Sequence, residues 1–229
     1  MKTRKAKDKP SAGKTNTKNP GDYHHGNLRQ ALIATGLDMI REQGLPSLSL
    51  REVARKIGVS EAAPYRHFPN KESLLAAIAT EGFQKLTGHL EASASPGLSP
   101  TAQLHDRSWA YVEFALEETD QFLTMFTGEL LPPHAENHPE LIQAGMRAFE
   151  SPIEIFNELK KEGSIHPETD VHSAAVMCFS AVHGLTMLLI GHQLESLGVT
   201  QPKARATLKT IIDTFIAGLR LPPSGRIVK

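Results

Sequence analysis

Two helix starts eleven residues apart, with a glycine between them, constrain this chain more than any other feature. Ser49-Leu50-Arg51-Glu52 has the spacing of a capping box: the serine hydroxyl takes one free amide and the glutamate reaches back to the cap. It predicts a short helix that buries Leu50, Val53, Ala54 and Ile57 and stops at Gly58. Val59 then plugs a turn, and Ser60 is expected to cap a third helix running to about His67. Helix, three-residue turn with glycine, helix is the helix-turn-helix plan, and the small Ala54 permits its close crossing. Upstream, Asn27 is the expected cap of a first helix that runs to Gln43 and ends at Gly44. Its inward stripe is Leu28, Ala31, Leu32, Thr35 and Met39.

The remaining segments predict more helices. No stretch alternates apolar and polar residues long enough to make a strand. After Phe68, Pro69 and Asn70 turn the chain into a long helix to about Gly88, with Leu74, Leu75, Ile78 and Phe83 inward. The loop of residues 91–100 follows, then helices at about 101–119, 121–130, 139–163, 169–197 and 202–220, with Pro152 kinking or splitting the third of these. The fold class is therefore all-α: an N-terminal three-helix domain with a helix-turn-helix, then a larger helical domain. The expected divisions are a disordered basic arm at 1–22, a helix-turn-helix part at 23–80 and a larger helical part at 81–229.

Charge separates the same parts. The formal net charge is zero, yet residues 1–80 hold 14 Lys and Arg against 7 Asp and Glu, and residues 81–229 hold 11 against 18. A basic first third joined to an acidic remainder points to a polyanion partner for the first part only. The arm Lys2, Arg4, Lys5, Lys7, Lys9, Lys14, Lys18 has two readings, a solubilising tail or a flexible source of phosphate contacts.

The run from Leu50 through Ala54, Gly58, Ser60, Tyr65, His67, Phe68, Pro69 and Lys71 to Leu75 resembles the DNA-binding signature of the TetR family, and Tyr23-His24-His25-Gly26-Asn27-Leu28 resembles the approach to it. The resemblance covers about residues 23–80. It implies that Tyr65, His67 and Lys71 hold the DNA backbone. Independently, helix N-termini at Ser49 and Ser60 suit phosphates, because their amides are free and carry partial positive charge. Base reading then falls to Glu61, Ala62 and Ala63, with Arg66 one turn on. Glu61 has two readings, an acceptor from cytosine or a first-turn helix stabiliser. Pro64 is tolerable in a first turn. Arg51 or Arg55 is a phosphate candidate, Lys56 fits a solvated face, and for Tyr65 the competing reading is a core aromatic.

Phe179 to Leu188 resembles a C-terminal subgroup of the same family named for a tryptophan, a histidine and a glycine. His183-Gly184 is present, and Phe179 stands near where the tryptophan is absent. The family resemblance implies double-stranded operator DNA as partner, a homodimer closed by the last two helices, and a small-molecule effector. Candidate lining residues for an apolar effector are Trp109, Phe114, Phe122, Met125, Phe126, Met146, Phe149, Phe156 and Met177; each also fits simple core.

Other chemistry finds less support. No phosphate-binding glycine loop, nucleophile elbow or His-Glu-x-x-His run is present, so no enzyme and no cofactor are expected, and His183 reads as a packed or interface histidine. His134 and His138 are framed by prolines, His24 and His25 diverge as neighbours, and no metal site is expected. The alternatives are a non-enzymatic architectural DNA-binding protein without ligand control and a helical enzyme with His183 as general base. Cys178 stands alone, which excludes an intramolecular disulfide and suits a reducing cytoplasm. The basic start lacks the apolar core of a secretory signal. Residues 171–194 carry no Asp, Glu, Lys or Arg, but histidines, serines and Gln193 among them favour a buried interface helix over a membrane span.

Overall fold

A computed structural model describes residues 28–95, 97–126 and 137–221, and among them helices are the only regular elements. The arm 1–22, the expected cap Asn27 and the histidines His24, His25 and His134 lie outside the described residues.

α1 (Leu28–Gln43), α2 (Leu50–Ile57) and the first half of α3 (Lys71–Ala92) enclose one core. α1 buries Ile33, Leu37 and Ile40 beside the expected Leu32 and Met39, while Leu28, Ala31 and Thr35 are only half-buried. The arc is wider than one stripe because α1 touches α2, α3 and α5 at once. Gly36 lets α3 approach closely: a β-carbon there would lie 3.1 Å from Ile78 Cδ1.

The capping box is not formed. Ser49 makes no side-chain cap bond, and Glu52 pairs instead with Arg55 at 3.0 Å. α2 is entered through a backbone bond, Val53 N–H to Ser49 O at 2.9 Å, with Leu48 and Val53 both buried at the positions of a hydrophobic staple. Gly58 closes the helix in the left-handed region, φ 83°.

The expected third helix is shorter and tighter than its sequence suggests. Residues 61–63 form turns, and one 3-10 turn, Pro64–Arg66, follows. Pro64 has no amide to give to Ser60 O, so three-residue bonds take over: Ala63 N–H to Ser60 O at 2.9 Å and His67 N–H to Pro64 O at 2.9 Å.

Asn70 then caps α3, its Oδ1 accepting from Ser73 N at 2.8 Å. α3 is the axis of the molecule. It passes the expected end at Gly88 and runs on to Ala92, so the division at residue 80 falls inside a continuous helix. α4 (Pro100–Glu117), α5 (Thr119–Met125) and α6 (Pro139–Lys161) pack around it. Pro152 does not split α6. α7 (Val171–Ile190) and α8 (Gln201–Gly218) pack on α4 and on each other. α7 ends sooner than expected because His192 takes a left-handed φ of 54°, its ring held 2.9 Å from Glu195.

Candidate nucleic-acid interface and internal cavity

Two apolar anchors aim the segment after α2. Pro64 and Phe68 are buried, and the alternation turns Ser60, Glu61, Ala62, Tyr65, Arg66 and His67 to solvent, with Ala63 half-buried. Tyr65 is 47% exposed, which removes the core-aromatic reading and leaves its hydroxyl presented outward. Glu61 starts no helix; its carboxylate lies 3.9 Å from Arg51, which offsets the charge it presents. Arg55 and Lys56 are held by Glu52 and by Glu42 of α1. The N-terminus of α2 adds amides without intrahelical acceptors beside the half-buried Ser49. Lys71 Nζ donates to Leu45 O at 3.3 Å, tying the start of α3 to the turn before α2. Every candidate from Ser49 to Lys71 thus falls on one compact end of the molecule.

The far half of α3 walls a cavity of 270 Å³ with α4, α6 and α7. Phe83, Leu86 and Leu90 are its α3 wall. Of the residues proposed from sequence, Phe126 and Phe149 line it. Phe114, Phe122, Met125 and Phe156 are core: Phe122 packs on Tyr111 and Phe126, Phe156 sits edge-on to Phe215, and Met125 fills the space a β-carbon at Gly82 would need. Trp109 faces another groove under Arg205, with the guanidinium 5.5 Å from its ring. Met146 and Met177, 64% and 57% exposed, point to solvent.

Sequence reasoning missed Arg107, Ser108 and Tyr111 on the α4 wall. The signal was available: Leu104, Arg107, Ser108 and Tyr111 have the i, i+3, i+4, i+7 spacing of one helix face, and a cation interrupts what should be an apolar stripe. Burial pushes the Tyr111 phenol far above its usual range, so it keeps its proton, and its hydroxyl shares a hydrogen bond with His183 Nδ1, 2.8 Å away. Burial also lowers the affinity of His183 for a second proton, and Phe179 stacks on its ring at 5.4 Å. Cys178, on the same cavity wall, is pushed up to about 12 by burial and remains an unreactive thiol at neutral pH. Among the described residues no group of three or more His, Cys, Asp or Glu is placed to hold a metal ion.

The outer face of α7 is the last notable surface. The helix is long and apolar enough to cross a membrane, with 33% of its span buried inside the chain. Its uncovered residues form a helical stripe, Ser173, Val176, Met177, Ser180, Ala181, Met187 and Leu188, with Gly184 at its centre. A β-carbon on Gly184 would meet nothing within 4 Å.

Comparison with known proteins gives two family matches: bacterial regulatory proteins of the tetR family over residues 32–78, and the tetracyclin repressor-like C-terminal domain over residues 104–215. The tetracycline repressor protein class C of Escherichia coli is 41% identical over 51 residues, 22% of this chain and 23% of that repressor. The chain therefore spans only about a quarter of that repressor, whereas the HTH-type transcriptional regulator SrpR of Pseudomonas putida matches at 24% over 201 residues, 85% of this chain and 86% of SrpR. A solved structure from Rhodococcus sp. RHA1, of a protein with unknown function, superposes with a TM-score of 0.74 at 32% identity, covering 88% of this chain and 100% of that one.

Proposed function

The chain belongs to the TetR family of bacterial transcriptional regulators, and on that premise we propose that it is a cytoplasmic homodimeric repressor which a small apolar molecule releases from its operator. Regulators of this kind act by binding, and no turnover is assigned to this one.

The observation that carries the reading is α3. One continuous helix begins at Lys71, beside the outward-facing segment, and ends with Phe83, Leu86 and Leu90 in the cavity wall. A side chain from the core grips it on the way: Gln121 donates to Ile78 O at 3.4 Å and accepts from Lys85 at 2.9 Å. Beside it, Arg41 of α1 pairs with Glu118 at the junction of α4 and α5. A molecule that fills the cavity displaces the helix that positions the reader. In a dimer, changed separation of the two readers mismatches major grooves about 34 Å apart. A hundredfold preference for one arrangement corresponds to about 2.7 kcal/mol of coupling.

In this reading Tyr65, His67, Lys71 and the α2 N-terminus hold phosphates, while Glu61, Ala62 and Ala63 meet base edges, with Arg66 one turn on. Selection of a bound sequence from a random pool tests the function: a palindrome is expected, and recovery of unrelated sequences would leave only a DNA-binding protein without an operator. With the operator in hand, Lys71→Ala should weaken binding about equally to all sequences and lower the salt slope by about one unit. Substitutions at Ala63 should instead change which bases are preferred. A Lys71→Ala protein with altered base preference and an unchanged slope would refute this division of roles.

A further inference from the structure

We propose that the cavity is built for a small apolar molecule carrying one carboxylate, and that the carboxylate docks on the guanidinium of Arg107. The proposal rests on the ligand-controlled reading above and names the chemical class of the ligand.

Arg107 is half-buried on an apolar wall, and a cation held partly out of water needs a partner, because moving charge out of water is costly unless it is paired. Arg107 has a meagre one. Its Nη1 donates to the Ser151 hydroxyl, a neutral group, and its Nε is buried with no hydrogen-bond partner among the described residues. None of the ion pairs among the described residues includes Arg107. Glu91, Glu150 and Glu154 lie in a separate polar cleft on the outer side of the guanidinium; Glu91 is engaged there by Arg147 at 3.4 Å. Arg107 also lines the cavity together with Phe83, Phe126, Phe149 and Phe179, and among the described residues no carboxylate lines that wall. The Tyr111 hydroxyl is engaged with His183, so Arg107 and the neighbouring Ser108 are the α4 donors left on this wall.

Size and shape narrow the class. A volume of 270 Å³ is roughly nine water volumes, room for about ten non-hydrogen atoms. Phe179 stands edge-on to both Phe149 and Tyr111, at 5.7 and 5.9 Å between ring centres, an arrangement that accepts another ring or a short alkyl chain. A cationic molecule would meet Arg107 as a like charge.

The test compares 3-phenylpropionate with 3-phenylpropan-1-ol, matched in size and differing in charge, by calorimetry at pH 7 on the full chain. The acid is expected to bind at least tenfold more tightly. Arg107→Met should cost the acid roughly ten- to a hundredfold, the range of a charge-assisted hydrogen bond, and leave the alcohol within threefold. Retained alcohol binding shows that the variant is folded, and Arg107→Lys, which keeps the charge, should restore part of the preference. Equal binding of acid and alcohol, equal losses of both in Arg107→Met, or no binding of either probe at millimolar concentration would overturn the proposal. Operator release is read separately. An acid that binds through Arg107 without weakening operator binding supports the carboxylate site and defeats ligand control. A neutral apolar molecule that releases the operator, with no preference for the acid, does the reverse.

Discussion

Gly184→Arg is expected to leave each protomer folded and to reduce operator affinity by at least about a hundredfold. Within one chain the substitution is harmless, because a β-carbon at this position meets nothing within 4 Å and arginine replaces glycine in a helix with a gain of up to about 1 kcal/mol. In the proposed homodimer it is not. The stripe around Gly184, with Met177, Ser180 and Met187, is apolar, uncovered and narrow enough for a second α7 to approach closely. A guanidinium driven into that seam is both bulky and unpaired. A separated protomer engages one half-site at a time and loses the avidity of linked readers, a factor of about 10² to 10⁴. Sedimentation, far-ultraviolet circular dichroism and an operator shift assay on the same protein give the three readouts. An intact dimer with operator affinity within threefold of the parent would place the interface elsewhere.

Phe122→Ala should be the costliest single truncation in the core. Phe122 is fully buried where three rings converge on it: Tyr111 at 5.4 Å, Phe126 at 5.0 Å and His183 at 5.8 Å. Removing it leaves a void that helices fixed on three sides cannot close, and such truncations cost about 3–5 kcal/mol. For a chain of this length that lowers the unfolding midpoint by roughly 6–20 °C at fixed protein concentration. Leu123→Ala, one residue along on the solvent side, should cost less than about 1 kcal/mol. Urea denaturation of both variants decides it; a Phe122→Ala loss near that of Leu123→Ala would mean that the ring cluster contributes little.

Helix order and the outward set from Ser60 to Lys71 were legible in the chain because caps, glycines and apolar spacing act locally. Two features escaped for opposite reasons. At Pro64 the missing amide was visible, but whether one absent bond shortens a helix into a 3-10 turn depends on the anchors Pro64 and Phe68, which only the packed domain defines. In the cavity, apolar type alone cannot separate lining from core. Phe122 and Phe126 lie four residues apart on neighbouring turns, yet one is sealed and the other borders the void. The charged member of the α4 stripe was the better guide, since a half-buried cation on an apolar face is rarer than a buried ring.

The unbroken course of α3 also says where parts of such proteins can be exchanged. Cutting at residue 80 severs a helix between Ile78, which Gln121 holds, and Gly82, against which Met125 is fitted. A foreign reader spliced there would keep the Gly82–Met125 fit but would bring α3 side chains before residue 80 that are not matched to the core around Gln121. The tolerant crossover lies after Ala92, in the segment before Ser99, so that the whole of α3 travels with its reader and the recipient core needs α5 residues matched to it. Hybrid sensors assembled that way should respond; those joined at the nominal boundary should bind DNA and ignore the signal.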